Sequence, residues 1–399
     1  MRVFLCLFYI LTLASCASIE KDLTNDLIDK SSKKLQRCQV DGFEYNGINQ
    51  HLMQEKPLKI LMVHGVGTHY PGYSDFIQEK LANNIGFNKR SRLSKNISLV
   101  DPQFPQKDLG NLRVTHWQDT TNNKEMFFYE LAWSEITIPY KNKLRFDIDE
   151  QSSEFRVPFN NTMKKFLDNV LPDPMIYLVD PYNLIINSNK QAVCWMLKDD
   201  WNTLPYKAKE VCNLSAELTS QKMVEENVMF ITHSLGSEIV IDAITSIAED
   251  MGNVKQLQEK ELTIFMLANQ LPMLLIAKPE PKVHSQKEEY CDINGSKYNQ
   301  RIFKNINVVA FSDPNDLLSY NIPQSFADEY IDSRLCADVT NVSVNVAPEI
   351  DAFGVEIVDP VLAHTYYDRS NKVINLITNG TNNFNNDKYL KDKCKFIKL

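Results

Sequence analysis

Two blocks of the chain, roughly 56–135 and 226–380, alternate short apolar runs with stretches whose apolar residues recur every three or four positions. The first run, Leu58 to Val63 (LKILMV), stops at His64-Gly65-Val66-Gly67, the pattern of a buried strand entering a glycine-containing loop. Ser74 to Asn84 then has helical spacing, with Phe76, Ile77, Leu81 and Ile85 on one side. Leu112–Trp117 and Met126–Trp133 read as strands joined by the polar turn Thr120-Thr121-Asn122-Asn123. In the second block, Val228-Met229-Phe230-Ile231-Thr232 predicts a strand and Gly236 to about Glu249 a helix. Further strands are expected at Leu262–Leu267, Ile306–Phe311 and Val342–Val346, and a closing helix from about Ser370 to Thr378. Strands alternating with helices predict an α/β domain: a mostly parallel central sheet covered by helices on both faces.

Between the blocks, from about 137 to 225, the strand rhythm stops. Helix-like patches at Thr162–Val170 and Tyr182–Met196 are interrupted by Pro158, Pro172, Pro174, Pro181 and Pro205. Apolar clusters such as Met175-Ile176-Tyr177-Leu178-Val179 and Val193-Cys194-Trp195-Met196-Leu197 lie in the same stretch. It is predicted to be a helical cap inserted into one domain spanning 56–399.

The start of the chain has a different character. Met1-Arg2 is a minimal positive region, Val3 to Leu13 is almost wholly apolar, and Leu13-Ala14-Ser15-Cys16 follows. The run is too short to span a bilayer and ends at small residues, which predicts a signal peptide over 1–15. Leu-Ala-Ser-Cys resembles the lipobox of bacterial lipoproteins. That resemblance implies a lipidated Cys16, a tether over 16–55 and, with no Asp after Cys16, an outer-membrane anchor facing the periplasm. Several acyl chains on one residue hold a protein firmly to a membrane, at about 0.8 kcal/mol per buried CH₂.

Setting aside Cys6 and Cys16 leaves six of the eight cysteines, an even number that in an oxidising compartment predicts disulfides. Roughly fifteen pairings of six cysteines are possible; short spans favour Cys194–Cys212 and Cys291–Cys336, with Cys38–Cys394 joining the termini. A net charge of −8 with no dense Lys/Arg run argues against a nucleic-acid partner. With no C-x-x-C pair, no H-E-x-x-H and no calcium-loop spacing, neither a metal nor an organic cofactor is expected.

The densest chemical signal is Thr232-His233-Ser234-Leu235-Gly236, lying between a predicted strand and a predicted helix. It matches the G-x-S-x-G nucleophile elbow, with Thr in place of the first Gly. Small residues are needed there because the strand turns into the helix through a strained backbone that lifts the Ser hydroxyl clear of the sheet. LMVHGVGTH together with FITHSLGSE resembles the α/β-hydrolase superfamily, in particular its lipase and esterase branches, over roughly 56–135 and 226–380. The resemblance implies an α/β-hydrolase fold, with Ser234 as nucleophile and the amides of Val66 and Leu235 as oxyanion-hole donors. His64, Gly65 and Gly67 would shape the site loop.

The same resemblance puts the acid after the nucleophile and the histidine last. His364, in VLAHTYY beyond the last predicted strand, fits the base better than His284, which lies in a polar loop. Asp316 in Ser312-Asp313-Pro314-Asn315-Asp316-Leu317-Leu318 fits the acid, with Asp313 as the alternative. His233 and His69 are expected to be wall or packing residues. The implied activity is hydrolysis of carboxylic esters, of lipids or other acyl compounds, at a membrane reached through Cys16. Two other functions remain open: a catalytically silent lipoprotein that uses the scaffold for binding or envelope structure, and an acyltransferase using the same triad.

Overall fold

A strand covered by helices on both faces has no solvent side, and Leu58–Val63 is buried at every position, Lys59 included. This strand is the centre of the fold. The computed structural model describes residues 38–89, 93–119, 121–149, 155–179, 181–252, 254–276, 278–352 and 355–399. The predicted signal peptide, the expected lipidation site Cys16 and the expected tether as far as residue 37 lie outside the described residues.

In chain order the first strands are β1 (Cys38–Gly42), β2 (Leu58–Val63), β3 (Asn88–Lys89), β4 (Lys95–Val100), β5 (Asp108–Asp119), β6 (Lys124–Ala132) and β7 (Lys207–Lys209). They are followed by β8 (Asn227–His233), β9 (Glu261–Leu267), β10 (Asn305–Ser312), β11 (Ala337–Val344), β12 (Glu349–Ala352), β13 (Val355–Val358) and β14 (Lys395–Lys398). All but β12 and β13, which form a separate hairpin, belong to one 12-stranded mixed sheet ordered β14-β1-β11-β10-β9-β8-β2-β6-β5-β4-β7, with β3 on β5. The run β6-β2-β8-β9-β10-β11 is parallel throughout. Antiparallel pairings of β5 with β6 and of β4 with β5 extend one flank, and β1, antiparallel to β11, extends the other.

Successive residues of a strand point to opposite faces. Leu61 and Val63 accordingly join the core under α4 (Tyr182–Lys198) and α6 (Gly236–Met251), while Ile60 and Met62 join the core under α1 (Asp75–Asn84) and α8 (Asn371–Asn379). Lys59 survives inside because its ammonium has partners. Nζ donates to Met196 O at 2.9 Å and lies 2.9 Å from a Glu226 carboxylate oxygen. A buried charge needs this kind of compensation.

The structure departs from the sequence reading in three places. Residues 38–55 do not all belong to a tether: β1 joins the sheet between β11 and β14, and a short helix, Ile48–His51, follows. Five residues with only Cys38, Val40 and Gly42 buried give too brief an alternation to mark a strand. Second, the predicted cap divides. Helix α4 buries Ile185, Ile186, Val193, Trp195, Met196 and Leu197 against the sheet, and α5 (Ala216–Glu225) leads directly into β8, so both belong to the covering layer. Only about 138–177, including α2 (Pro158–Val170) and α3 (Pro172–Tyr177), stands off the sheet, and no residue of α2 is buried. Third, β3, β4, β7, β14 and the β12–β13 hairpin lie outside the strands the sequence predicts.

The three disulfides are Cys194–Cys212, Cys291–Cys336 and Cys38–Cys394, the pairs that short spans suggest. Among the described residues, no helix is long and apolar enough to cross a membrane. Cys38–Cys394 closes a separation of 356 residues and ties β1 to the start of β14, at the sheet edge. Replacing both of its cysteines by Ser is expected to lower the unfolding free energy by about 2–5 kcal/mol in urea titration. An unchanged midpoint would show that edge pairing alone holds the termini.

Candidate active site

The carboxyl ends of the parallel strands carry the residues that matter. Ser234 follows β8, Asp316 follows β10, and His364 lies on α7 (Pro360–Thr365), reached after the β12–β13 hairpin. Ligand sites in open α/β sheets collect at this end, where loops diverge from a rigid scaffold.

Ser234 adopts φ +55°, a left-handed conformation that an ordinary side chain enters at a cost of about 1–3 kcal/mol. Its amide donates to Leu267 O at 2.9 Å, which fixes the turn against the end of β9. Two glycines make the turn possible. A Cβ on Gly65 would stand 2.5 Å from Ser234 Cβ, and one on Gly236 would stand 2.5 Å from Val63 O. The loop after β2 and the first turn of α6 therefore press on Ser234 from two sides. Thr232, where the elbow pattern has Gly, is accommodated in the core, its Oγ1 3.2 Å from Ser237 Oγ.

His364 lies between the other two groups. Its Nε2 is 3.1 Å from Ser234 Oγ, and its Nδ1 is 2.9 and 3.0 Å from the two carboxylate oxygens of Asp316. With the Nδ1 proton directed at the carboxylate, Nε2 presents its lone pair to the serine hydroxyl. Burial by itself would raise the Asp316 carboxyl. The hydrogen bond and charge of His364, with the Leu318 amide, outweigh burial and hold it below the usual carboxylate range. The Tyr367 hydroxyl donates to the same carboxylate at 3.3 Å.

Asp313, the alternative acid, has other work. Its carboxylate accepts the amides of Asn315 at 2.8 Å and Val346 at 2.7 Å, stitching the loop after β10 to the segment after β11. His284 pairs with Glu280 at 3.3 Å, in the polar loop that the sequence suggested.

His64 orders the loop after β2. The Trp133 amide donates to its Nε2 at 3.1 Å, so the proton resides on Nδ1 and is given to Gly65 O at 2.7 Å. Its ring is sandwiched between Trp133 and His69, with centroids 4.7 and 4.1 Å away. Burial, then the neighbouring His69, push its pKa well below the ordinary value and keep it neutral. Further along, the fully buried Glu130 accepts the amides of Gly72 at 2.6 Å and Ser74 at 2.9 Å, with Arg113 at 3.3 Å as counter-ion. The Gly67 amide is taken by Asp173 at 2.6 Å, whereas no hydrogen bond within the described residues uses the amide of Val66 or Leu235. Leu235 also opens α6, whose N-terminal dipole favours negative charge.

Three contributors escaped the sequence reading. Tyr367 steadies Asp316 from three residues beyond His364, a spacing that offered a cue. His233, expected as a wall residue, also donates from Nε2 to His364 O at 2.9 Å, anchoring the short helix that carries His364. Asp173 gave no local sign at all. Among the described residues, no group of three or more His, Cys, Asp and Glu is placed to hold a metal ion.

Burial, then the charge of His364, lower the His233 pKa to about 3. Unfolded histidine takes its proton near pH 6.5, so as pH falls from about 6.5 toward 3 the unfolded state gains a proton that the folded state refuses. Stability is lost across that window at up to about 1.4 kcal/mol per pH unit. Between pH 7 and pH 5, His233→Gln is expected to lose about 2 kcal/mol less unfolding free energy than the unmodified protein, measured by urea denaturation. Equal losses would mean that His233 is protonated in the fold.

Comparisons with protein-family models, with curated proteins and with solved structures found no match for this chain.

Proposed function

We propose that the protein is a serine hydrolase that cleaves carboxylic esters through an acyl-enzyme on Ser234. The observation that carries this is the position of His364, hydrogen-bonded at 3.1 Å to the Ser234 hydroxyl and at 2.9 Å to the Asp316 carboxylate. In the proposed mechanism Ser234 Oγ attacks the ester carbonyl as His364 Nε2 takes its proton, and the carbonyl oxygen becomes an anion. Asp316 holds the imidazole in the required tautomer and stabilises its cationic form. The amides of Val66 and Leu235 receive the oxyanion. Collapse of the intermediate expels the alcohol, protonated by His364; water then gives its proton to His364 and attacks the acyl-enzyme, and the second intermediate breaks the bond to Ser234 Oγ, which takes the proton back as the acid leaves.

The fold we propose is that of the α/β-hydrolases, with the cap reduced to about 138–177. The substrates we propose are lipid or other acyl esters. Support comes from this cap, where Phe146, Phe155, Val157, Leu171 and Met175 are all exposed, a concentration of apolar side chains in the segment that also touches the site loop through Asp173 and Asn169. Lipidation of Cys16, and with it residence at a membrane, is proposed from the sequence of the first sixteen residues.

Ser234 is fully buried, so substrate must displace something to reach Oγ. A small chromogenic ester and a fluorophosphonate label are therefore the first probes to try. Turnover and labelling are both expected to vanish in Ser234→Ala, and Asp316→Asn is expected to lower kcat by about 10⁴-fold with the fold intact. Full activity in Ser234→Ala would refute the assignment.

A further inference from the structure

We infer that Asp173 is a positioning residue for the oxyanion hole, and that the cap segment carrying it is a fixed strut of the site rather than a swinging lid. The inference rests on the ester-hydrolase function proposed above. Its geometry, however, is independent of that function.

Asp173 opens α3 and is completely buried. Its Oδ2 accepts the Gly67 amide at 2.6 Å, one residue beyond Val66. Gly67 has φ +96°, so its amide is aimed by a backbone conformation few other residues adopt. Next to it Thr68 Oγ1 donates to Asn169 Oδ1 at 2.7 Å. Two consecutive residues of the site loop are thus held by the cap, and the Gly67 amide is used up, which leaves Val66 as the loop's donor.

The other end of α3 is pinned as well. Tyr177, fully buried, donates its hydroxyl to Asp242 of α6, the helix that begins just after Leu235. Lys278 joins the same knot, bonding both Glu238 and Asp242 and lying 4.8 Å from the Tyr177 ring centre. One short helix therefore fixes the relative positions of the two peptide groups proposed to bind the oxyanion. Preorganised donors of this kind stabilise a developing charge because they need no rearrangement when it forms.

A carboxylate so near an oxyanion would oppose it, and the structure supplies the remedy. Lys141 Nζ lies 3.1 Å from the Asp173 carboxylate and donates to Asn169 O at 3.2 Å. Carboxylate and ammonium cancel, so the clamp orders the loop without imposing a net field. A cap that swung away would carry off the acceptor of Gly67 along with the neutral pair. Uncovering Ser234 is compatible with an intact hole only if Asp173 stays in place.

Three variants and two readouts test this. Asp173→Ala is expected to lower kcat on a short-chain ester by about 10²-fold with KM little changed, as for loss of an oxyanion-hole donor. Amide hydrogen exchange in the peptide covering 62–72 should rise in that variant and stay unchanged in Ser234→Ala. Lys141→Met should lower kcat by leaving the carboxylate uncompensated, and adding Asp173→Asn should restore at least about tenfold of it, because a neutral amide still accepts the Gly67 N–H. Loss of fold alone would not give that rescue, and the Lys141 pair keeps the test open if Asp173→Ala does not fold. The inference is overturned if Asp173→Ala keeps its kcat, if its loss resides in KM, if exchange at 62–72 does not change, or if the double variant is no better than Lys141→Met. A protein with neither ester turnover nor phosphonate labelling would instead sink the proposed function, and the exchange data would still report on the clamp.

Discussion

The contact on which the site depends is the approach of two backbones at the end of the central strand pair. β2 and β8 run side by side in parallel register, Val63 opposite Thr232, and both chains turn at the same level. There is no room between them for one more methyl group at Gly65 or at Gly236. That crowding holds Ser234 in its left-handed conformation, places the loop after β2 against it, and starts α6 directly above the sheet edge. Parallel pairing makes this possible, because it brings the carboxyl ends of strands distant in sequence to one rim.

Around that contact the structure pairs or neutralises the titratable groups that border Ser234 and the loop after β2. His64 and His233 are held neutral by burial and spend their protons on backbone carbonyls. Glu130 and Asp173 keep charge inside because an opposite charge and backbone amides meet each one, and Lys59 does so with Glu226 and a backbone carbonyl at the opposite end of β2. Asp316 is the member whose partner is the proposed base. Its low proton affinity and its two contacts to one imidazole nitrogen are two views of the same interaction.

The segment between β6 and β8 shows how one stretch can serve two purposes. Its second half, α4 and α5, repeats the task of any crossover helix and buries a continuous apolar face on the sheet. Its first half leaves α2 without a buried residue and puts apolar side chains into solvent, while a single carboxylate on α3 reaches down to the site loop. Apolar surface in the first half is available for a ligand or an interface, whereas in the second half it is consumed by the fold.

The sequence determined the parallel strand–helix rhythm, the tight turn at Ser234 and the two short-span disulfides Cys194–Cys212 and Cys291–Cys336, and its family resemblance pointed to His364 and to one of Asp316 and Asp313. The rhythm, the turn and the two short disulfide spans were legible because they are local: an apolar run of period two or an unbroken core, a glycine where the chain turns sharply, a short cysteine span. Tertiary structure alone decided which aspartate after β10 meets the imidazole, since Asp313 and Asp316 lie three residues apart and only the course of the turn separates their duties. It also decided that residues 38–42 join the sheet between β11 and β14, that the region from 182 to 225 covers it, and that Asp173 grips Gly67 across 106 positions of sequence. The physical reason is common to all four. A hydrogen bond or buried face formed between distant segments leaves no periodicity in either segment, so its partner exists only once the chain has folded.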